Sequence, residues 1–183
     1  MVRAPSCVLF AFAATFSLLA ETKCNCDPSQ PETLKERQCS LCVEAEKQPA
    51  GPAVFFLKDA NPRKPNRLLA LPRAHGTGLH RMADLPADTQ LTLWTAAIDK
   101  ARELFPQSDW GIAFNGDRVR TQCHTHIHIG RLLPGVETAN FIVVDNAAGI
   151  PPPVDNGYWI HPIEGGKLHV HQGEQITETV LLR

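Results

Sequence analysis

The chain has 183 residues, a formal net charge of −1 and a hydrophobic fraction of 43%. This length predicts one domain with a sizeable apolar core. The near-neutral charge and the lack of a polybasic tail or basic stripe exclude nucleic acid as the expected partner.

The first 20 residues resemble a targeting segment. Arg3 precedes an apolar, uncharged run over residues 7–20, and Glu21 follows it. A positively charged end followed by such a run is typical of a signal peptide, and the run is shorter than the roughly 20 apolar residues that a membrane span needs. We expect an exported protein, periplasmic or secreted, or one anchored by residues 1–20 if they stay uncleaved.

Residues 21–52 predict an irregular arm that is polar and rich in Pro, Gln and Glu, with one helical turn over residues 32–38. The arm carries the cysteines Cys24, Cys26, Cys39 and Cys42. Cys7 lies in the leader and Cys123 lies downstream, so five sulfurs, an odd number, remain after cleavage. Export permits disulfides among the arm cysteines, and one sulfur is then left free, bound to metal or paired with another chain.

Residues 53–136 predict a core of short strands around one helix. The helix opens at Leu85-Pro86, since proline suits the first helical turn, and Pro106 ends it. Its apolar stripe recurs at helical spacing at Leu91, Trp94, Ala97, Ile98, Ala101, Leu104 and Phe105. Apolar runs predict strands over residues 53–57, 68–71, 110–114 and 124–132. A loop rich in Pro and Asn, residues 58–67, joins the first two strands as a β-hairpin.

Residues 137–183 predict a β-rich extension. Its short strands, separated by glycine and proline turns, are expected over residues 141–144, 158–163, 167–171 and 176–182. His169 and His171 alternate in the third of these strands, which we interpret as an exposed strand face, and His80 and His161 receive no role. Strands and one main helix that do not alternate regularly predict an antiparallel α+β fold.

The candidate active site is a run of alternating histidines, His124, His126 and His128. Side chains in a strand point to opposite faces with period two, so these three are expected on one face. A histidine that attacks phosphorus forms a phosphoramidate, and this splits one hard displacement into two easier ones. His126, flanked by two rings, is the predicted nucleophile. A charged neighbour can neutralise phosphate oxygens or protonate the leaving group.

The polar turn before the histidines offers amide, hydroxyl and guanidinium donors for a phosphorylated substrate. Arg120 can clamp a phosphate through two parallel hydrogen bonds. The candidate binding residues of this turn are Asn115, Arg120, Thr121 and Gln122.

Over residues 53–136 the chain resembles the histidine triad (HIT) superfamily. The resemblance rests on His-x-His-x-His after a strand and polar turn, and on D-x-x-P-x-x-P-x-x-x-L-V-I-P-x-x-H spacing between Asp59 and His75. It implies a HIT-like antiparallel sheet with one main amphipathic helix, flanked here by the cysteine arm and the β-rich extension. It also implies that the first hairpin holds a nucleoside, with the ribose on Asp59 or Asn61.

Within the superfamily the chain is most similar to the CDP-diacylglycerol pyrophosphatases. These exported or membrane-anchored bacterial enzymes carry A-x-N and R-T-Q-x-H-x-H-I-H-I, as the chain does at residues 113–115 and 120–129. The similarity implies a step of phospholipid metabolism, the cleavage of CDP-diacylglycerol to CMP and phosphatidate. His126 would be the nucleophile, with His124 and His128 as its polar neighbours.

The resemblance also implies a structural zinc site. Some relatives bind zinc through a Cys-x-x-Cys pair, the histidine that closes the hairpin and the first triad histidine. The corresponding ligands here are Cys39, Cys42, His75 and His124. Two thiolates and two imidazoles make a closed tetrahedral site. A disulfide within the arm is the competing interpretation, and the histidine chemistry itself requires no cofactor.

Three hypotheses of function remain open from the sequence. The first is a HIT-type nucleotide hydrolase, with CDP-diacylglycerol as the leading substrate and soluble nucleotides or nucleoside phosphoramidates as the alternative. The second is a metal-dependent hydrolase whose triad holds catalytic zinc. The third is an exported zinc-binding protein without catalysis. A nucleotide-lipid substrate adds a membrane surface as a partner, and HIT relatives are often homodimers.

Overall fold

A computed structural model describes residues 22–76, 78–107, 109–153 and 155–183. The expected leader, residues 1–20, lies outside this part of the chain. Within the described residues, none of the helices has both the length and the apolar character needed to cross a membrane.

One antiparallel sheet organises the described residues. Its seven strands are β1 (Val54–Lys58), β2 (Leu68–Pro72), β3 (Trp110–Phe114), β4 (Ile127–Arg131), β5 (Phe141–Val144), β6 (Gly157–Pro162) and β7 (Leu168–Glu174). They lie in the order β1-β2-β4-β3-β6-β7-β5, and every neighbouring pair is antiparallel. The α+β class is thereby confirmed.

The main helix, α2 (Ala87–Leu104), packs against β2, β3 and β4. Pro86 precedes its first residue, as expected for a proline at a helix start. The buried face consists of Leu93, Trp94, Ala97, Ile98 and Ala101. Leu91 and Leu104, which the stripe included, are 42% and 38% exposed. The buried face is therefore rotated from the predicted stripe toward Leu93.

Two predicted strands differ from the structure. β4 begins at Ile127, so the first two triad histidines precede the strand. Residues 176–182 do not form a strand but contain the 3₁₀ turn Glu178–Val180, after which Leu181 makes a single bridge to Leu132. The physical reason is a side-chain cap: Asn115 Oδ1 accepts hydrogen bonds from the backbone N–H groups of Thr177 and Glu178, which holds this segment in a turn.

The cysteine arm is more regular than predicted. It contains the 3₁₀ turns Pro31–Lys35 and Arg37–Cys39, followed by a helix, α1 (Ser40–Glu46). Both 3₁₀ turns overlap residues 32–38, where one helical turn was expected, and α1 follows beyond them.

Residues 137–183 continue the same sheet. β6 pairs with β3, with Ile112 opposite Ile160. Side chains from both parts of the chain, such as Ile129 and Leu168, belong to one buried apolar cluster. The C-terminal segment is therefore placed to supply residues to a site built mainly by the first half of the chain.

Candidate active site

A cleft of about 520 Å³ lies between the β1–β2 loop, α1 and the chain that leads into β4. Its lining includes all the predicted binding residues and two triad histidines: Asp59, Asn61, Asn115, Arg120, Thr121, Gln122, His126 and His128. Apolar side chains also line it, at Leu41, Leu57, Leu69 and Val119. Residues far apart in the chain thus meet around one opening with the size of an ordinary small-ligand site.

His126 is held in one tautomer by a backbone hydrogen bond. Its Nδ1 lies 2.8 Å from the carbonyl oxygen of His124. Because a carbonyl only accepts, Nδ1 carries the hydrogen and Nε2 keeps its lone pair. Burial lowers the pKa of His126 from its usual 6.5, although the hydrogen bond to His124 opposes this shift. The ring is therefore neutral at neutral pH, the form that attacks an electrophile.

His128 lies beside His126, with ring centroids 4.9 Å apart. Its Nδ1 lies 3.8 Å from Asp59 Oδ2 and 3.6 Å from Glu178 Oε2. Burial, followed by the His126 ring and two nearby cations, holds the pKa of His128 well below its usual range. His128 is thus neutral in the free protein, and the two carboxylates are placed to stabilise its charged form when a proton arrives.

Glu178 is a cleft residue that sequence reasoning missed. Its carboxylate contacts Lys64 Nζ and lies 3.1 Å from Arg67 Nη1. Arg67 is almost fully buried and also donates to the carbonyl oxygens of Leu181 and Leu182. No motif signals Glu178, because it comes from the far end of the chain and reaches the cleft only through tertiary structure.

Asn115 positions the turn that carries Glu178. Its Oδ1 accepts hydrogen bonds from the backbone N–H groups of Thr177 and Glu178, at 2.9 and 3.1 Å. The Thr177 hydroxyl, fully buried with its residue, donates to the carbonyl oxygen of Phe114 at 2.8 Å. Asn115, predicted to contact substrate, therefore holds the Glu178 turn in place and also lines the cleft.

We expect Asn115→Ala to lower the free energy of unfolding by about 1–3 kcal/mol, because the N–H groups of the Glu178 turn lose their acceptor. Turnover should fall too, since Glu178 loses its support. Asn115→Asp, which keeps an acceptor oxygen, is the matched control and should retain more of both. Chemical denaturation and rate measurements check this, and equal losses in the two variants would contradict the capping role.

The Arg120 side chain is held in place by contacts with the protein and does not extend freely into the cleft. Its Nη1 donates to the carbonyl oxygen of His80 and lies 3.5 Å from Asp117 Oδ1. The Thr125 hydroxyl donates to the same carbonyl at 3.1 Å. These contacts fix the guanidinium at the cleft wall, where it can face an anionic substrate.

Gln122 connects the arm to the cleft wall through two side-chain hydrogen bonds. Its Oε1 accepts from the Ser40 hydroxyl at 2.8 Å, and its Nε2 donates to the carbonyl oxygen of Arg37 at 3.3 Å. Predicted as a substrate contact, it lines the cleft while holding the start of α1 in place.

His124 does not line the cleft with the other two histidines. It is 1% exposed, and its ring stacks on that of His75 at 5.1 Å. The prediction that all three share one strand face is wrong for His124, because β4 begins only at Ile127. Burial lowers the pKa of His124 to about 3, so it is not a charged neighbour of the nucleophile. Its contribution is the carbonyl oxygen that orients His126.

We expect this buried histidine to make stability pH-dependent. The pKa of His124 is about 3 in the folded protein against 6.5 for a free ring, so the unfolded chain takes up the proton first as pH falls. The stability that the neutral His124 ring contributes is present above pH 6.5 and is lost as the pH falls below this value. Between pH 7 and pH 5 the loss amounts to about 2 kcal/mol of unfolding free energy. Between pH 7 and pH 5, the unfolding free energy of His124→Asn should therefore fall by about 2 kcal/mol less than that of the wild type. Equal falls in both proteins would show that His124 takes up its proton in the folded state.

The cysteines do not form the expected zinc site. Cys39 is joined to Cys26 in a disulfide, so its sulfur offers no thiolate to a metal. Cys42 is the free thiol of the described part, and burial raises its pKa to about 11. His75 Nε2 lies 3.2 Å from Glu46 Oε1 instead of facing a pair of sulfurs. Cys39, Cys42, His75 and His124 therefore do not fit a closed zinc centre here.

A second disulfide, Cys24–Cys123, ties the arm to the residue before the triad. The Cys123 backbone N–H donates to the carbonyl oxygen of Gln38 at 2.8 Å, and the Thr22 hydroxyl donates to that of Arg120 at 2.8 Å. The arm thus holds in place the loop that carries His124 and leads to the cleft histidines.

The cleft combines a neutral imidazole with a free Nε2, a second imidazole beside two carboxylates, and the guanidinium of Arg120. Such a set suits nucleophilic attack on phosphorus with charge stabilisation nearby. No protein-family model matches the chain, and no curated protein matches it. Its function is therefore inferred from the residues of the cleft.

Proposed function

We propose that this chain is a hydrolase of the histidine triad type, which cleaves a nucleotide pyrophosphate linkage through a nucleotidyl intermediate on His126. The observation that carries the proposal is the 2.8 Å hydrogen bond from His126 Nδ1 to the carbonyl oxygen of His124. It fixes the tautomer in which Nε2 has a lone pair, at the wall of a cleft large enough for a nucleotide.

The chemistry proceeds in two displacements. His126 Nε2 attacks the nucleotide phosphorus, a P–N bond forms, and the P–O bond to the second phosphate breaks. The second phosphate leaves with the bonding electron pair. Water then attacks the same phosphorus and gives a proton to His128, the P–N bond breaks, and the nucleoside monophosphate is released while His126 regains its lone pair.

The neighbours of His126 have separate tasks in this scheme. His128, neutral in the free protein, is placed to take a proton from the attacking water, and the carboxylates of Asp59 and Glu178 would stabilise the charge it then carries. Lys58, Lys64 and Arg120 are the cations on the cleft lining, available to phosphate charge.

The remaining lining suits a nucleoside. Asp59 and Asn61 lie on the β1–β2 loop as the candidates for the ribose hydroxyls, and the Asn61 Oδ1 already accepts from the backbone N–H of Arg63 at 3.0 Å. Leu57 and Leu69 offer an apolar surface for a base.

CDP-diacylglycerol is the proposed substrate, with CMP and phosphatidate as products. A cleft of about 520 Å³ accommodates the nucleotide but not two acyl chains, so the lipid would stay outside at a membrane or micelle surface. The two disulfides agree with an exported or externally anchored protein. Soluble nucleotides or phosphoramidates are the alternative substrates of the same site.

A metal-dependent hydrolase is the second candidate, because ligand atoms of Asp59, His128 and Glu178 lie within 4.8 Å of one another. Two fixed cations weigh against it. Lys64 and Arg67 already contact the Glu178 carboxylate, and their positive charges oppose a metal ion at that point.

The test is nucleotide release by the purified, disulfide-bonded protein from three substrates: CDP-diacylglycerol in detergent micelles, a soluble CDP ester and a nucleoside phosphoramidate. Each is assayed with and without chelator. We expect chelator-resistant release of CMP, fastest from CDP-diacylglycerol. Release that chelator abolishes while the protein stays folded would overturn the histidine mechanism, and the absence of turnover of all three would overturn the hydrolase.

A further inference from the structure

A second group of histidines lies outside the cleft. His161 on β6 and His169 and His171 on β7 converge on Glu137, which precedes β5. One ligand atom of each residue lies within 4.8 Å of all the others. We call these four residues the β6–β7 histidine cluster. The alternation of His169 and His171 was interpreted from sequence as an exposed strand face, but His171 is fully buried.

The hydrogen bonds of the cluster leave two ring nitrogens facing one another. His161 Nδ1 lies 3.1 Å from the carbonyl oxygen of Pro162, so Nδ1 carries the hydrogen and Nε2 the lone pair. His171 Nδ1 lies 2.9 Å from the Thr138 hydroxyl, which accepts from one tautomer of the ring and donates to the other. The two Nε2 atoms face each other at 3.2 Å. In the first tautomer both hold lone pairs, and a metal ion between them would satisfy both.

Glu137 adds negative charge at the same point. Its Oε2 lies 3.0 Å from His161 Nε2, and its Oε1 lies 2.8 Å from His169 Nδ1 and 3.3 Å from His171 Nε2. Atoms at the corners of a tetrahedron about 2.0–2.1 Å from a zinc ion lie roughly 3.3 Å from one another. The spacing of the cluster is therefore close to that of a metal-ligand set.

We propose that His161, His169, His171 and Glu137 bind one divalent transition-metal ion of the Zn²⁺ type. Three imidazoles and one carboxylate match the ligand preference of this metal class better than that of Mg²⁺ or Ca²⁺, which take oxygen ligands. Four protein ligands make a closed set, which is typical of a structural site.

The surroundings of the cluster support a structural role. The Trp159 ring stacks on His171 with centroids 3.5 Å apart, and the Phe141 ring stacks on His169 at 3.9 Å. These contacts hold two of the ligand rings in place. Glu137 is exposed, so a metal ion has a path from solvent. A bound ion would tie the segment before β5 to β6 and β7.

This site does not depend on the proposed hydrolase function, because it shares no residue with the cleft. It is also separate from the zinc site expected at Cys39, Cys42, His75 and His124. The two can be distinguished by which histidine substitution removes the metal.

The experiment uses the full, disulfide-bonded protein, stripped with chelator and then titrated with Zn²⁺ by calorimetry and with Co²⁺ by visible absorption. We expect one Zn²⁺ per chain, a tetrahedral Co²⁺ spectrum, and a thermal midpoint that rises with Zn²⁺. His169→Gln and Glu137→Gln are the test variants because neither side chain is fully buried, so both variants should fold. Each should weaken Zn²⁺ binding by at least about 10-fold.

His75→Gln is the matched control, since it removes a histidine from the other candidate zinc set and should leave Zn²⁺ affinity unchanged. The proposal is overturned if wild type binds no more Zn²⁺ than the Glu137→Gln/His169→Gln double variant. It is equally overturned if His75→Gln alone removes the ion. In the first case the facing Nε2 atoms share a proton instead of a metal.

Discussion

Replacing His126 with alanine should lower the rate of nucleotide release by at least about 10³-fold. No other cleft side chain can take over, because His128 is the remaining imidazole on the cleft lining and its Nδ1 is turned toward two carboxylates. The loss should appear in kcat, since the substituted atom acts on phosphorus and is not needed to hold the nucleoside. Initial rates with saturating substrate measure it.

Chemical rescue makes this result specific. His126→Gly leaves a space beside His128, and added imidazole should restore part of the turnover by attacking phosphorus in place of the missing ring. His169→Gln, which removes a histidine outside the cleft, should keep activity within about twofold. Undiminished turnover in His126→Ala, or a loss shared by His169→Gln, would contradict a nucleophilic role for His126.

Removing the Cys24–Cys123 disulfide should have the second large effect. Its two cysteines are 99 residues apart, and a cross-link closing a loop of this size contributes up to about 4.7 kcal/mol. Cys123 also adjoins His124, whose carbonyl oxygen orients the nucleophile. The Cys24→Ser/Cys123→Ser variant should therefore lose both unfolding free energy and kcat, measured by chemical denaturation and initial rates.

The Cys26–Cys39 disulfide provides the matched comparison. Its cysteines are only 13 residues apart, so it stabilises by about 3 kcal/mol and lies within the arm. Cys26→Ser/Cys39→Ser should cost less stability and leave kcat closer to wild type. If both double variants lowered kcat equally, the Cys24–Cys123 disulfide would have no particular role in positioning His126.

Much of the cleft could be predicted from the sequence because its residues lie in short local motifs. Asp59 and Asn61 on the hairpin loop, which the family resemblance indicated, and Arg120 just before the histidines all line it, and their contact with substrate stays a prediction. Turn chemistry and alternating apolar runs are local properties, so the α+β class followed from them as well.

What could not be predicted depends on contacts between distant segments. Glu178 reaches the cleft because Asn115 caps its turn, a contact with no local signature. His124 left the predicted strand face because the Cys24–Cys123 disulfide and the arm hold the chain before β4 in an irregular path. Glu137 and His161 meet His171 only through strand pairing, so the alternation in β7 could not by itself identify a cluster.

Trapping the intermediate tests the central claim most directly. The protein is mixed with a stoichiometric amount of CDP-diacylglycerol, quenched in alkali within the first turnover, and analysed by peptide mass spectrometry, since a phosphoramidate survives alkali but not acid. The account predicts a cytidylyl group on the peptide that contains His126, absent in His126→Ala. Formation of CMP at the full rate with no such adduct, or an adduct on another residue, would contradict it.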